Sequence, residues 1–232
     1  MGEKPEFGNL TIILPTLNEE DSIGETIEEG LKACPGARIL VVDDDSTDST
    51  GEKVRALQNK GLPVQLIVRK EGTRGLTASL IEGIQASQTE HIAVMDADLQ
   101  HPPEKLPELV KALDSSDLAI GVREEIAGRW PLPRMLMSSG ATFLAYFRLR
   151  VKGRLCADPL SGFFAMKKKL FEKHCQKRAF APQGYKILFD ILKQLPKDTR
   201  IAEVPYTFNK RRRGKSKIGS KHMLSFLRSL VT

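Results

Sequence analysis

The sequence predicts an α/β domain with a central, mostly parallel sheet. Short apolar runs rich in β-branched residues alternate with helix-period segments through the first half, the pattern of successive βαβ units. Turn-forming or acidic clusters follow three of those runs, where an open parallel sheet gathers its ligands. The chain has 232 residues, enough for one large domain with a substantial core.

Strands are expected at Leu10–Leu14, Arg38–Asp43, Val64–Arg69, His91–Asp96 and Leu118–Val122. Helices are expected between them, at Glu19–Ala33, Asp48–Asn59, Gly75–Ser87 and Pro103–Leu113. The first helix places Ile23, Ile27 and Leu31 four apart on one face, with Ser22 as a candidate cap. The second half is less regular. Arg134–Arg148 and Tyr185–Leu195 read as helices, Gly162–Met166 as a short strand and Ile201–Phe208 as an alternating one. Neither an internal repeat nor a low-complexity linker divides the chain.

Composition narrows the classes. Hydrophobic residues make up 41% and charged residues 28%, as in an ordinary folded protein. Cys34, Cys156 and Cys175 are scattered and histidines are not clustered, so neither disulfides nor zinc is expected, and a reducing cytosolic setting fits. The opening Met-Gly-Glu-Lys-Pro-Glu has no apolar core of a secretory leader. No apolar stretch approaches the roughly 20 residues of a membrane span.

The net charge of +7 is concentrated at one end. From Asn209 to Thr232 there are eight Lys or Arg and no acid, so the rest of the chain is nearly neutral. A basic tail suits nucleic acid, an anionic membrane surface or a phosphorylated substrate. Nucleic acid is disfavoured, because Phe208 and Phe226 are the only aromatics near the tail, too few for a stacking platform. Met223, Leu224, Leu227, Leu230 and Val231 fall at helical spacing with Lys221 and Arg228 opposite, which describes a short amphipathic helix over 216–232 behind a domain over 1–215, suited to a membrane interface, although surface helices packed on a soluble core read the same.

Three strand ends carry candidate chemistry. Asp96, Asp98 and Gln100 offer two carboxylates and an amide at every second residue, a donor set for a hard divalent cation if the chain stays extended. Alone, such a pair of acids is as well explained by helix capping. Asp43, Asp44 and Asp45 repel one another at a strand exit and call for a ligand or cation, whereas capping accounts only for Ser46 or Asp48. Pro15-Thr16-Leu17-Asn18-Glu19 reads first as a strand-to-helix turn.

Taken in order, Ile12 to Glu19, Val41 to Ser46 and Met95 to Asp98 resemble the family 2 inverting glycosyltransferases of the GT-A fold. Arg74-Gly75-Leu76, the run Asp96 to Pro103, Asp158-Pro159-Leu160-Ser161-Gly162-Phe163-Phe164 and Arg213-Gly214-Lys215-Ser216-Lys217 narrow the resemblance to the dolichyl-phosphate mannosyltransferases. It runs from about Leu10 to the last residue.

The resemblance implies inverting transfer of mannose from GDP-mannose to dolichyl or another polyprenyl phosphate, at the cytoplasmic face of a membrane. The near alternative is a polyprenyl-phosphate glucosyltransferase using a UDP-sugar. By the same resemblance Pro15, Glu19, Val42 and Asp44 hold the nucleoside, and Asp96, Asp98 and Gln100 bind Mg²⁺ or Mn²⁺ on the diphosphate, with Asp98 also counted as catalytic. Arg123, Arg134 and Ser138 receive the lipid phosphate, the two arginines taking part in catalysis. Arg211, Arg213 and Lys217 match a basic loop over the donor and acceptor phosphates. Relatives continue into transmembrane segments or rely on small transmembrane partner subunits. Leu17 departs from the pattern, standing where relatives usually place an aromatic beside the base.

Overall fold

The computed structural model describes residues 6–127, 132–151, 156–176, 180 and 186–211, with the backbone alone for 132–139 and 151. The predicted interfacial helix over 216–232, the domain boundary ahead of it, Arg213 and Lys217 lie outside the described residues.

A seven-stranded sheet organises the chain. Its strands are β1 (Leu10–Thr16), β2 (Arg38–Asp43), β3 (Val64–Val68), β4 (His91–Val94), β5 (Leu118–Ile126), β6 (Phe164–Lys167) and β7 (Ile201–Phe208). They lie in the order β3-β2-β1-β4-β6-β5-β7, and β6 alone is antiparallel to its neighbours. The chain therefore winds outward from β1 in both directions, which opens a crevice at the carboxyl ends of β1 and β4. Because β6 runs backwards, the loop that enters it reaches the same edge that the other strands leave.

Helices α1 (Ile23–Ala33), α2 (Thr50–Asn59) and α4 (Leu106–Lys111) accompany one core, in which Ile12, Leu14, Ile27, Val54 and Leu109 are buried. Helices α3 (Leu76–Ala86), α5 (Leu132–Val151) and α7 (Ile187–Gln194) accompany the other, with Ile13, Val42, Ile84, Leu149 and Leu188. β1 and, from Ile39 onward, β2 are buried on both faces, so their runs read as continuous apolar stretches rather than alternating ones, while β3 is half-buried.

The departures from expectation have local causes. The first helix starts at Ile23 rather than Glu19, because the Glu19 and Glu20 amides donate to Thr50 Oγ1 (2.8 Å) and Asp48 Oδ2 (3.1 Å) across the β2–α2 loop. Ser22 stands at the cap position without a side-chain capping bond. Prolines at 102, 103 and 107 break the expected Pro103–Leu113 helix into α4 flanked by two 3₁₀ turns, Pro103–Lys105 and Ala112–Asp114. A helix α6 (Lys168–His174), unforeseen in the sequence, follows β6 directly.

Close packing of α3 on the sheet rests on Gly83. A Cβ there would come within 2.7 Å of Ile13 Cγ2 and 3.0 Å of Val42 Cγ2, whereas one at Gly24 on α1 would meet nothing within 4 Å. Gly83→Ala should therefore destabilise the fold by about 1–3 kcal/mol through overpacking. Gly24→Ala should instead be neutral or stabilise it by roughly 0.5–1 kcal/mol through helix propensity. Urea unfolding of the two variants checks both signs.

Candidate active site

The acids after β2, for which the sequence suggests a ligand or cation, find partners within the chain: Asp44 and Asp45 meet arginines, and Asp43 meets neutral donors. Asp43 accepts from Thr16 Oγ1 and the Ser46 amide, both at 2.8 Å. Asp44 is buried against Arg69 and accepts from the Gly75 amide at 2.8 Å. Arg69 is buried with it and also donates to Glu82 (2.9 Å) and to the Thr73 carbonyl (2.7 Å). Half-buried Asp45 pairs with exposed Arg74. Two arginines flanking the β3–α3 loop thus stitch that loop to the exit of β2. Removing one partner of so buried a pair would leave a charge stranded in the interior.

Pro15 and Glu19 stand on the neighbouring exit. Pro15 is buried in β1, and Glu19 is half-buried in the turn ahead of α1. Asn18, with φ of 52°, folds that turn over the β2 loop, its Oδ1 accepting from the Thr47 amide at 2.8 Å. Leu17 is exposed at the rim. The Val42 side chain points away from this rim into the core beside Ile13 and Leu80.

The carboxylates after β4 do not alternate along an extended strand. The strand ends at Val94, and the chain turns through Leu99, whose φ is 59°. Asp98 Oδ1 accepts from the Gln100 amide (3.0 Å), while its Oδ2 lies 2.6 Å from Arg211 Nη2. Gln100 faces the extension of β7: its Nε2 donates to the Asn209 carbonyl (3.1 Å), and its own carbonyl accepts from the Asn209 amide (2.8 Å). Asp96, Asp98 and Gln100 are thus brought to one turn by local folding rather than by strand periodicity. Burial pushes the Asp96 carboxyl up to about 6, and burial with Asp96 beside it raises Asp98 as well.

His101 is the buttress under this turn. It is buried, stacked on Phe163 at 5.2 Å and met edge-on by Tyr206 and Phe208. The Asp96 amide donates to its Nδ1 at 3.1 Å, which places the ring proton on Nε2. Burial pushes its pKa down to about 4. Gly162 makes room for the arrangement, since a Cβ there would lie 3.2 Å from His101 Cε1 and 3.4 Å from an Asp96 oxygen.

Arg123 reaches the same edge from β5. Asp158, in the loop entering β6, grips it through two bonds, Nε to Oδ2 at 2.7 Å and Nη2 to Oδ1 at 3.0 Å. Such a bidentate fork fixes the guanidinium plane. The β5–β7 register slips between Arg123 and Glu125, a bulge that re-aims the strand as it leaves the sheet. Lys186, just ahead of α7, donates to the Leu160 carbonyl at 2.9 Å. Burial and nearby Arg123 push its pKa down to about 8. Arg134 and Ser138 lie near the start of α5, where only the backbone is described.

The structure therefore gathers Glu19, Asp44, Asp96, Asp98, Gln100, Arg123 and Arg211 at one edge of the sheet. Arg69, His101, Asp158 and Lys186 join them without having been assigned roles in the sequence. His101 and Asp158 sit inside the motifs, so a signal was present for those two. Arg69 and Lys186 read only as a strand end and a helix start. Among the described residues no group of three or more His, Cys, Asp or Glu is arranged to hold a metal.

The family model described as glycosyl transferase family 2 matches residues 11–175. The chain is 39% identical over 227 residues to a dolichol-phosphate mannosyltransferase of Pyrococcus furiosus, covering 95% of this chain and 62% of that protein's length. It is 37% identical over 200 residues to a protein of the same name from Saccharomyces cerevisiae, covering 83% of this chain and 72% of the relative. Among solved structures, glucosyl-3-phosphoglycerate synthase of Mycobacterium tuberculosis, in complex with Mn²⁺, UDP and glucosyl-3-phosphoglycerate, superposes with a TM-score of 0.68. That match has 22% identity and covers 96% of this chain and 77% of the other, a likeness of fold.

Neutral His101 is directly observable. Imidazole nitrogen NMR should show the Nε2–H tautomer at pH 6 and protonation only near pH 4, against about 6.5 for an unfolded histidine. The folded form takes up its proton later than the unfolded one. This residue's contribution to stability is accordingly complete above pH 6.5 and lost as pH falls towards 4. A resonance titrating near 6.5 would contradict the packing described.

Proposed function

The chain belongs to glycosyl transferase family 2, and from that membership we propose that it transfers mannose from GDP-mannose to dolichyl or another polyprenyl phosphate, inverting the anomeric configuration, at the cytoplasmic face of a membrane. The observation that carries this reading is the state of Asp158. A hydroxyl acceptor needs a carboxylate base near the donor sugar, yet Asp158 is held by both its oxygens on Arg123. A phosphate monoester arrives already anionic and needs no base. It needs cations to approach a diphosphate, and Arg123, Arg134, Arg211 and Lys217 are placed or motif-matched to provide them.

On this reading Glu19 and Asp44 accept from the base and ribose at the exits of β1 and β2, with Pro15 shaping the floor and Val42 contributing through its backbone. Asp96, Asp98 and Gln100 hold Mg²⁺ or Mn²⁺. The donor set fits a hard cation: carboxylate and amide oxygens at one turn, two of them acids whose pKa values are raised by burial, that of Asp98 also by Asp96 beside it. Bound there, a divalent ion stabilises the departing GDP as a Lewis acid. Arg123, fixed in plane by Asp158, aligns the acceptor phosphate with the sugar, assisted by Arg134 and Ser138. Holding two anions in line is where the rate is gained.

Two features of α5 support a lipid acceptor. Phe143, Leu144 and Phe147 are 66%, 46% and 58% exposed on one face of the helix that begins with Arg134 and Ser138. Exposed Arg150 follows at its end. An apolar face flanked by cations suits the interface of an anionic leaflet. Among the described residues no helix is long and apolar enough to cross a membrane. On this reading, anchoring comes from the interface itself, from transmembrane segments outside this sequence, or from small transmembrane partner subunits.

Radiolabelled GDP-mannose and UDP-glucose, each offered with a short isoprenyl phosphate with and without Mn²⁺, test the reading. Mannosyl lipid from the first donor alone, abolished by chelation, is the expected result; glucosyl transfer would replace it with the alternative donor. Arg134→Ala should raise the acceptor's KM by roughly tenfold or more, the cost of about 1.4 kcal/mol of charge-assisted binding, with little change in the donor's. Equal effects on both substrates would remove Arg134 from the acceptor side.

A further inference from the structure

Arg211 touches two groups that belong to different parts of the candidate site. Its guanidinium lies 2.6 Å from Asp98 Oδ2 and 3.6 Å from Glu19 Oε1. The segment that carries it is pinned to the acidic turn by the reciprocal bonds between Gln100 and Asn209. Arg211 therefore cannot drift far from Asp98, yet its own side chain is long enough to turn to another anion. The Asp98 oxygen it occupies is also one that a divalent ion would take.

We propose that Arg211 is a surrogate cation for the acidic turn, resting on Asp98 when no nucleotide is bound and leaving it for the diphosphate when a nucleotide brings the metal in. The inference rests on the metal role proposed above for Asp98. Its physical basis is the crowding of Asp96, Asp98 and Glu19: without a cation these buried or half-buried carboxylates repel one another. The pairing lowers that cost in the free protein. It also makes metal alone a poor ligand, because the ion must take from the guanidinium the nearer of the two carboxylates it meets, Asp98 at 2.6 Å rather than Glu19 at 3.6 Å. A nucleoside diphosphate supplies a replacement anion. Metal and nucleotide thus bind with a positive coupling beyond their direct contact, and the enzyme is protected from filling with metal before its donor arrives.

Manganese binding is read by electron paramagnetic resonance, without sugar or lipid, on wild type and on Arg211→Ala, Arg211→Gln and Asp98→Ala. Removing the guanidinium should tighten binding of Mn²⁺ alone by about 5- to 150-fold, the usual range of a coupling between sites. The enhancement of Mn²⁺ affinity by GDP should shrink by a similar factor in both Arg211 variants. Unchanged Mn²⁺ affinity in folded Arg211→Ala and Arg211→Gln, with Asp98→Ala losing the metal, would overturn the surrogate role and leave the metal site standing. Undiminished Mn²⁺ binding by Asp98→Ala would overturn the metal site itself, and the surrogate role with it.

Discussion

The constraint on which the site depends is electrostatic: a parallel sheet delivers its strand exits to one edge, and here those exits carry acids. Asp43, Asp44, Asp96 and Asp98 would repel one another in a partly desolvated crevice. The chain answers with arginines drawn from distant segments. Arg69 meets Asp44, Arg211 meets Asp98, and Asp158 brings its own arginine, Arg123. Each pair crosses from one connection to another, so the charge balance of the crevice also ties its loops together. The β3–α3 loop is fastened to β2, the end of β7 to β4, and the entrance of β6 to β5.

The pairs differ in what they can do next. Arg69 is buried on every side and its bonds to Asp44, Glu82 and the Thr73 carbonyl make it part of the frame. Arg123 is gripped in plane yet partly open, which suits a group that orients a ligand. Arg211 meets Asp98 and Glu19 from a segment whose backbone is fixed two residues earlier, at Asn209. The three guanidiniums thus grade from enclosed to more open, Arg69 to Arg123 to Arg211. His101 belongs with the frame: neutral, stacked among aromatics and bonded to the Asp96 amide, it shapes the turn without adding charge to it.

Much of this was legible in the sequence, for definite reasons. The doubly buried strands β1 and β2 appear as unbroken apolar runs, and Arg38–Asp43 and Ile201–Phe208 were read to the residue. The motifs at the strand ends placed Glu19, Asp44, Asp96, Asp98 and Gln100 at the edge where the structure gathers them, and the resemblance added Arg123. The mostly parallel sheet was legible in the alternation of strands and helices, but the reversal of β6 was not, because periodicity carries no polarity, and with it went the placement of Asp158. The alternation assumed for Asp96, Asp98 and Gln100 failed for a different reason: Leu99 in the left-handed region turns the chain, and a buried leucine is the last residue from which one would infer it. Long-range partners such as Arg69 for Asp44 have no local signature at all.

The reversed strand β6 has a consequence for how this fold can diversify. In a strictly parallel sheet every loop at the functional edge leads into a crossover, so its length and direction are coupled to the helix that follows. The segment ending in Asp158 and Gly162 leads instead into a short strand whose helix, α6, lies at the opposite edge. It is a wall of the crevice free of crossover geometry. That side of the crevice can therefore be rewritten by insertion or exchange while the exits of β1 and β2, two and three strands away in the sheet, keep their register.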